Sequence, residues 1–487
     1  MTFTSTFFLF LFLPVAVAGY YLLPKKLKNA FLALISLLFY AAGDFQMFPL
    51  LLISLAVNYL LGLSMGWSRG RKNLSRGILL LLLLWNFGLL FYFKYWVFSL
   101  KTLNDVFGLS FVLPVIGLPM GISFYTFRTV SYGLDVYWET VPVQKNPLDY
   151  ALYISFFPQI TMGPITKYSH FSVQLKERRF DVDLVFGGVK RIITGLAQKL
   201  MIANSLGIIV DFIFSMGQAD RTVVLSWLGV IGYLLQLYYD FAGYSNIAIG
   251  IGNLVGFKTP ENFDYPYTAP SVVDFWNRWH ISLGAWLKDY IYMPTFRALM
   301  GKKKISTFWR DIIALFAVWS FAGIWHGAAW KYVCYGYYNF LLIALERAWE
   351  YQQKQKRKRL KLKKQPKTKW QIAGSHFYLF VFLVFGQLLF RIDSLDGYLP
   401  YLKTMFSGPF TSALSGFLLR DSAITMLVGT VFCFPVIPWL KKKLETAPKA
   451  VNIAARIAEP AVYVVGLIVI VSFLLNSSYN PFLYLNF

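Results

Sequence analysis

Acidic residues are scarce in this chain. It has 23 Asp and Glu against 47 Lys and Arg in 487 residues, and charged residues of both signs make up only 14% of the sequence. An ordinary soluble domain carries about 25%, so the two to four soluble domains that the length allows at roughly 150 residues each are excluded. Cysteine is almost absent: Cys334 and Cys433 lie far apart in different apolar segments. No disulfide framework and no CxxC redox or metal pair can be built from them. No P-loop occurs, which argues against ATP-driven transport, and there is no HExxH zinc motif and no GxSxG nucleophile elbow. The scattered acids add nothing to a metal-binding case. Histidine is limited to His170, His280, His326 and His376.

What the chain has in quantity is apolar sequence. Hydrophobic residues are 57% of the total and aromatics 19%. Several runs reach membrane length with their flanks, among them 78–93 and 461–475. The expected fold class is an all-α polytopic membrane protein with about 10–13 membrane segments. The net charge of +24 falls in short connectors between apolar runs, which points to the positive-inside rule and not to nucleic acid. Lysines 25, 26 and 28, the stretch 69–76 and the run 354–369, with ten Lys or Arg and no acid, are expected on the cytoplasmic face of the membrane. The last is read as a basic loop able to touch anionic lipid headgroups. Residues 7–23 lack a basic leader and are followed by lysines, the pattern of a retained first span.

Spans are expected at 7–23, 30–42, 47–65 and 77–98, forming an N-terminal scaffold (1–110) in which almost no polar residue looks chemical. A catalytic core is placed at 111–345, a basic loop at 346–370 and C-terminal spans at 371–487. From Leu113 onward Pro114, Gly117, Pro119, Gly121, Pro158, Gly163 and Pro164 interrupt apolar sequence. Broken helix is tolerated in a membrane only where it faces protein or a water-filled cavity, so half-length or re-entrant helices around a central funnel or tunnel are expected. Residues 184–214 and 223–239 resume as helices, and 243–289 is too polar for a plain span. Residues 312–345 carry one long apolar segment or two short ones, with His326 inside, and later spans are placed at 377–390, 423–440 and 461–475.

Two clusters stand out. His326 lies in an uncharged run between Ser320 and Trp330, and an ionisable group at membrane depth is a functional candidate by default. It reads as an acid–base group, as a structural histidine between helices, or as a metal ligand. The stretch 274–290 brings Asp274, Asn277, Arg278, His280, Lys288 and Asp289 together with three tryptophans. As a helix it pairs Asp274 with Arg278 at i,i+4, and it reads either as an amphipathic interfacial helix with a tryptophan belt or as part of a site. His280 and Asp289 share no face unless the helix breaks at Gly284. Cys334 follows His326 by eight residues, too far on a straight helix for direct contact, which disfavours a covalent Cys–His route. These features are compatible with a membrane enzyme, a proton-coupled carrier or a structural membrane partner.

The strings Leu118-Pro-Met-Gly-Ile-Ser-Phe-Tyr-Thr-Phe127, Phe156-Phe-Pro-Gln159 with Gly163-Pro164, Tyr239-Asp-Phe-Ala-Gly-Tyr-Ser245, Pro260-Glu-Asn-Phe263, Phe275-Trp-Asn-Arg-Trp-His-Ile-Ser-Leu283, Trp325-His-Gly327 and Asn480-Pro-Phe-Leu-Tyr484 resemble, in order and spread, the membrane-bound O-acyltransferase family. The resemblance is to its bacterial branch of alginate O-acetylation proteins and teichoic acid D-alanyl transferases. It implies a ring of helices around a thin centre, with His326 as the catalytic residue and His280 near the donor entrance. Arg278, Lys288 and Arg297 are implied as phosphate contacts of a donor, and Asn277 and Asp289 as groups orienting the polar entrance. No permanently bound cofactor is implied; acetyl-CoA is the expected donor substrate, with a D-alanyl carrier protein as the alternative. The implied partners are a cell-envelope polysaccharide (alginate-like or peptidoglycan) and an extracytoplasmic SGNH-type acetyltransferase. The chain departs from the branch pattern at Ala242, Asn246, Asn277 and Thr295–Arg297, positions expected to shape the cytoplasmic face.

Overall fold

In the computed structural model residues 1–178, 180–363, 365–476, 479 and 483 are described. The terminal string 480–484 therefore lies, except for Leu483, outside the described residues. The described chain is all helical, with no strand among its residues and a single isolated antiparallel bridge between Phe263 and Trp279. Eight helices are long and apolar enough to cross a membrane, and the apolar helices Phe8–Leu22 and Lys28–Gly43 are shorter. This is a multi-pass membrane protein.

Helix Val223–Leu254 is the axis of the fold and is buried along most of its length. The segment Val182–Ser215 lies against it where Gly188 faces Gly250 and Gly195 faces Gly243. A methyl group built on Gly195 would stand 2.5 Å from the Gly243 carbonyl oxygen. Small residues permit this backbone-to-backbone packing, the main source of close helix association in a membrane. By contrast, Lys449–Asn476 exposes nearly its whole apolar surface, as a lipid-facing helix does. The 77–98, 377–390 and 461–475 expectations are extended by their flanks into Lys72–Phe107, Lys369–Arg391 and Lys449–Asn476.

The interrupted middle folds as its prolines and glycines require. Ile122–Tyr137 is almost wholly buried yet only 16 residues long, about 24 Å at 1.5 Å per residue, short of a bilayer's hydrocarbon core. Gly121, which starts it, has φ +67°, and its α-carbon approaches the Ile160 carbonyl so closely that a methyl group would stand 2.2 Å away. No other residue fits both conditions. Residues 156–167 then run buried without helix, and their backbone finds partners in side chains: Phe157 N–H donates to Ser36 Oγ (3.1 Å) and Ile165 N–H to Ser282 Oγ (3.0 Å). This is how irregular backbone survives in an apolar interior.

Four expectations are corrected. The axial helix does not stop near Tyr239 but continues to Leu254, because its polar residues are buried and paired: Lys199 and Asp240 form an ion pair. The basic run is not one loop. Helix Trp330–Arg359 carries its first half, and helix Lys369–Arg391 begins at its end with a Thr368–Gln371 capping box. The span expected at 423–440 breaks near Pro435 into Ala413–Phe432 and Val436–Glu445. Trp279 and Trp286 form no belt. Both are buried, with Trp286 stacked on Phe127 at 4.4 Å between ring centres and its indole N–H donated to the Phe127 carbonyl.

Candidate active site

His326 stands at the last position of helix Thr307–His326, where the apolar stretch breaks before Trp330–Arg359 begins. The two helices cross at Gly323 and Gly336, whose α-carbons leave no room for a side chain on either. The glycines near His326 thus admit a neighbouring helix: Gly327 takes the Tyr332 ring as Gly323 takes Gly336. The imidazole is buried among Trp325, Tyr335 and Phe390, with ring centres at 4.9, 5.9 and 5.3 Å.

The 274–290 stretch is neither one helix nor broken at Gly284. Val272–Arg278 and Ile281–Leu287 are separated at His280, which adopts the left-handed conformation (φ +47°, ψ +51°). A non-glycine residue held there costs on the order of 1–3 kcal/mol and persists only when its surroundings over-determine it. Asn262 does so. Its backbone carbonyl accepts from Ile281 N–H (3.0 Å), and its side-chain Oδ1 accepts from Ser282 N–H (3.2 Å) and Ser282 Oγ (2.8 Å) while lying 3.1 Å from His280 Nδ1. Asn262 Nδ2 donates to Ser245 Oγ at 3.0 Å. A backbone N–H can only donate, so the atom facing Ser282 must be the amide oxygen, and His280 Nδ1 must carry the proton. That tautomer leaves Nε2 as a buried lone pair with no hydrogen-bond partner among the described residues. His280 lies outside the spanning helices. Burial, with His326 as a lesser influence, lowers its pKa well below the usual value and keeps it neutral.

His280 and His326 line the same cavity of about 500 Å³. Its walls are apolar, supplied by residues such as Leu283, Leu287, Val318 and Ala322, while Asn277, Lys288 and Arg347 bring polar groups. Asn277 and Lys288 are exposed and the histidines buried, so the cavity passes from a polar rim to the two buried imidazoles. A second cavity of about 350 Å³ contains Asp289, Arg297, Lys167, Asp135 and Trp138. Lys288 lies in the wall of both.

The structure thus divides the sequence candidates. His326, His280, Asn277 and Lys288 come together. Asp289 and Arg297 belong to the second cavity, where Asp289 is ion-paired with Lys167. Arg278 lines neither; it is paired with Asp274 at 2.8 Å, as the i,i+4 spacing predicts, and donates to Thr268 Oγ1. Cys334 is exposed and lines neither cavity. The sequence reading gave no role to Asn262, Ser245, Lys167 or Arg347. The first two stood inside quoted motif strings, which marked them without saying what they hold.

Both histidines thus face one cavity among interrupted membrane helices. The model of the membrane-bound O-acyltransferase family matches residues 139–361, the span that contains both histidines. The probable alginate O-acetylase AlgI of Azotobacter vinelandii is 35% identical over 417 residues, covering 84% of this chain and 78% of that protein. The chain belongs to the membrane-bound O-acyltransferase family. The peptidoglycan O-acetyltransferase of Helicobacter pylori is 31% identical over 83% of this chain and 80% of its own length. The teichoic acid D-alanyltransferase of Bacillus subtilis is 31% identical over 56% of this chain and 68% of that protein. As a member of this family the protein is an O-acyltransferase, and the carrier and structural-partner readings give way to an enzyme.

Proposed function

We propose that this membrane O-acyltransferase takes acetyl from a cytoplasmic thioester, acetyl-CoA, and passes it across the inner membrane for O-acetylation of an alginate-like polysaccharide or peptidoglycan. The observation that carries the reading is the shared cavity of His326 and His280 behind a cationic rim. In the proposed step the acceptor hydroxyl oxygen attacks the thioester carbonyl carbon while His326 takes its proton. The C–S bond then breaks, and the imidazolium returns the proton to the departing sulfur. His280, whose Nε2 lone pair has no partner among the described residues, accepts a hydrogen bond from an amide N–H of the donor's pantetheine arm. The dry apolar walls exclude the water that would otherwise hydrolyse the thioester.

The second cavity suits the donor's phosphates. Lys167 is neutralised by Asp289, but Lys288 and Arg297 form no ion pair among the described residues, and Trp138 offers a ring stacked on Tyr290 (5.9 Å, 6° between planes). Lys288, common to both cavities, marks the path from phosphate to thioester. Preference for acetyl over D-alanyl rests on the longer matches to the two O-acetylating relatives. An SGNH-type partner outside the membrane would receive the acetyl group.

Donor identity is tested with purified protein in lipid nanodiscs, given labelled acetyl-CoA or a D-alanyl-charged carrier protein. Free thiol release and labelled acceptor are expected with acetyl-CoA. Transfer from the charged carrier alone would overturn the proposal.

A further inference from the structure

A helix leaves its last four carbonyls without intrahelical donors, and His326 ends such a helix. Its own loop supplies a long bond, from Gly327 N–H to the Ile324 carbonyl at 3.3 Å. Two further donors arrive from more than two hundred residues away. Tyr95 Oη donates to the same Ile324 carbonyl at 3.0 Å, and the Lys94 ammonium donates to the carbonyl of Trp325. The two residues are consecutive and belong to a π-helical turn, Phe91–Tyr95, within the apolar segment Lys72–Phe107. A π turn inserts one residue into the α register and is concentrated at functional sites. Here it sets neighbouring side chains on neighbouring carbonyls.

The Lys94 ammonium also sits 5.6 Å over the Trp325 ring. That ring stands between the two histidines, 4.9 Å from His326 and 6.3 Å from His280 between centres. A lysine within a membrane helix is costly, and a leucine would serve for packing alone. A cation at a helix C-terminus is electrostatically favoured, and an ammonium has three donors to satisfy a carbonyl that the helix cannot. These observations converge on the one backbone segment that aims His326.

We propose that Lys94 and Tyr95 are positioning residues of the active site: they clamp the Ile324–Trp325 backbone and so fix where the His326 imidazole meets the reacting thioester. The inference rests on the reading of His326 as the proton acceptor. It assigns to the N-terminal scaffold a direct part in the geometry of the reaction.

The test uses Lys94→Met, Lys94→Arg and Tyr95→Phe in nanodiscs, with acetyl-CoA as the probe. Thiol release, KM for acetyl-CoA and thermal unfolding are measured, and His326→Ala serves as the control. Misplacing a catalytic group by an ångström costs on the order of 100-fold. Lys94→Met should therefore lower kcat by about 10- to 100-fold while KM for acetyl-CoA changes less than about threefold. Lys94→Arg, which still donates to the carbonyl, should recover most of the loss. Tyr95→Phe should lower kcat by a smaller factor at unchanged KM. Wild-type kcat in a folded Lys94→Met protein overturns the proposal, as does an equal loss in Lys94→Met and Lys94→Arg that follows their loss of thermal stability. If Lys94→Met does not fold, Tyr95→Phe decides, and an unchanged kcat there overturns the clamp. An inactive His326→Ala with a fully active Lys94→Met removes the clamp alone. An active His326→Ala removes the reading of the site and the clamp with it.

Discussion

Asn262 secures His280 by a different route from that proposed for His326. One side-chain oxygen accepts from two groups of Ser282 and from His280 Nδ1, and the amide nitrogen is held by Ser245. The arrangement fixes a strained backbone, a tautomer and a ring position together. Removing the amide leaves buried donors without acceptors, at about 1–3 kcal/mol for each unsatisfied group. Asn262→Ala should therefore lower the thermal unfolding temperature and raise KM for the donor, because Nε2 is no longer obliged to be the lone pair. Unfolding and KM indistinguishable from wild type would contradict this account of His280. Nothing in the sequence shows the contact, since Asn262 and His280 are 18 residues apart and meet only because His280 breaks the helix. The unusual backbone of a histidine cannot be read from neighbours that carry no turn signal at that position.

At the scale of elements, π-helical turns recur where lysines matter. Four are present among the described residues, and three of them contain Lys94, Lys199 and Lys288. Lys94 grips the His326 helix, Lys199 is buried against Asp240, and Lys288 lies between the two cavities. Hydropathy finds the apolar segments that contain the Lys94 and Lys199 turns but is blind to a one-residue change of register. For that reason the scaffold looked free of chemistry and Lys94 was missed. The tryptophans of 274–290 misled in the opposite way: aromatic spacing suited an interface, whereas the break at His280 turns Trp279 and Trp286 inward. The pairing of Thr307–His326 with Trp330–Arg359 depends on Gly323 and Gly336. In Gly336→Leu the new side chain would meet the Trp319 carbonyl oxygen and Gly323, overpacking that costs about 1–3 kcal/mol or more. The expected result is a lower unfolding temperature with transfer reduced, because the displaced helix carries His326. Wild-type stability and activity would show that the crossing does not position the site.

For the whole molecule, the class and the broken centre were legible because they rest on bulk quantities: apolar content, few charges, and prolines and glycines inside apolar runs. The buried helix Ile122–Tyr137 and the irregular 156–167 stretch stand where that pattern placed them. His326 was conspicuous as an ionisable group in an uncharged run, and its convergence with His280, 46 residues earlier, was implied only by family resemblance. The division of the cationic residues between two cavities was not legible, because it depends on how short helices pack.

The central claim is that one buried imidazole, His326, carries the transfer. The measurement is thiol release from acetyl-CoA by purified His326→Ala in nanodiscs, beside wild type and Cys334→Ala, with unfolding temperatures recorded for all three. A lost acid–base group costs about 100- to 10,000-fold, so His326→Ala should fall by at least that factor while unfolding as wild type does, and Cys334→Ala should be nearly silent. Near-wild-type thiol release from folded His326→Ala would contradict the account.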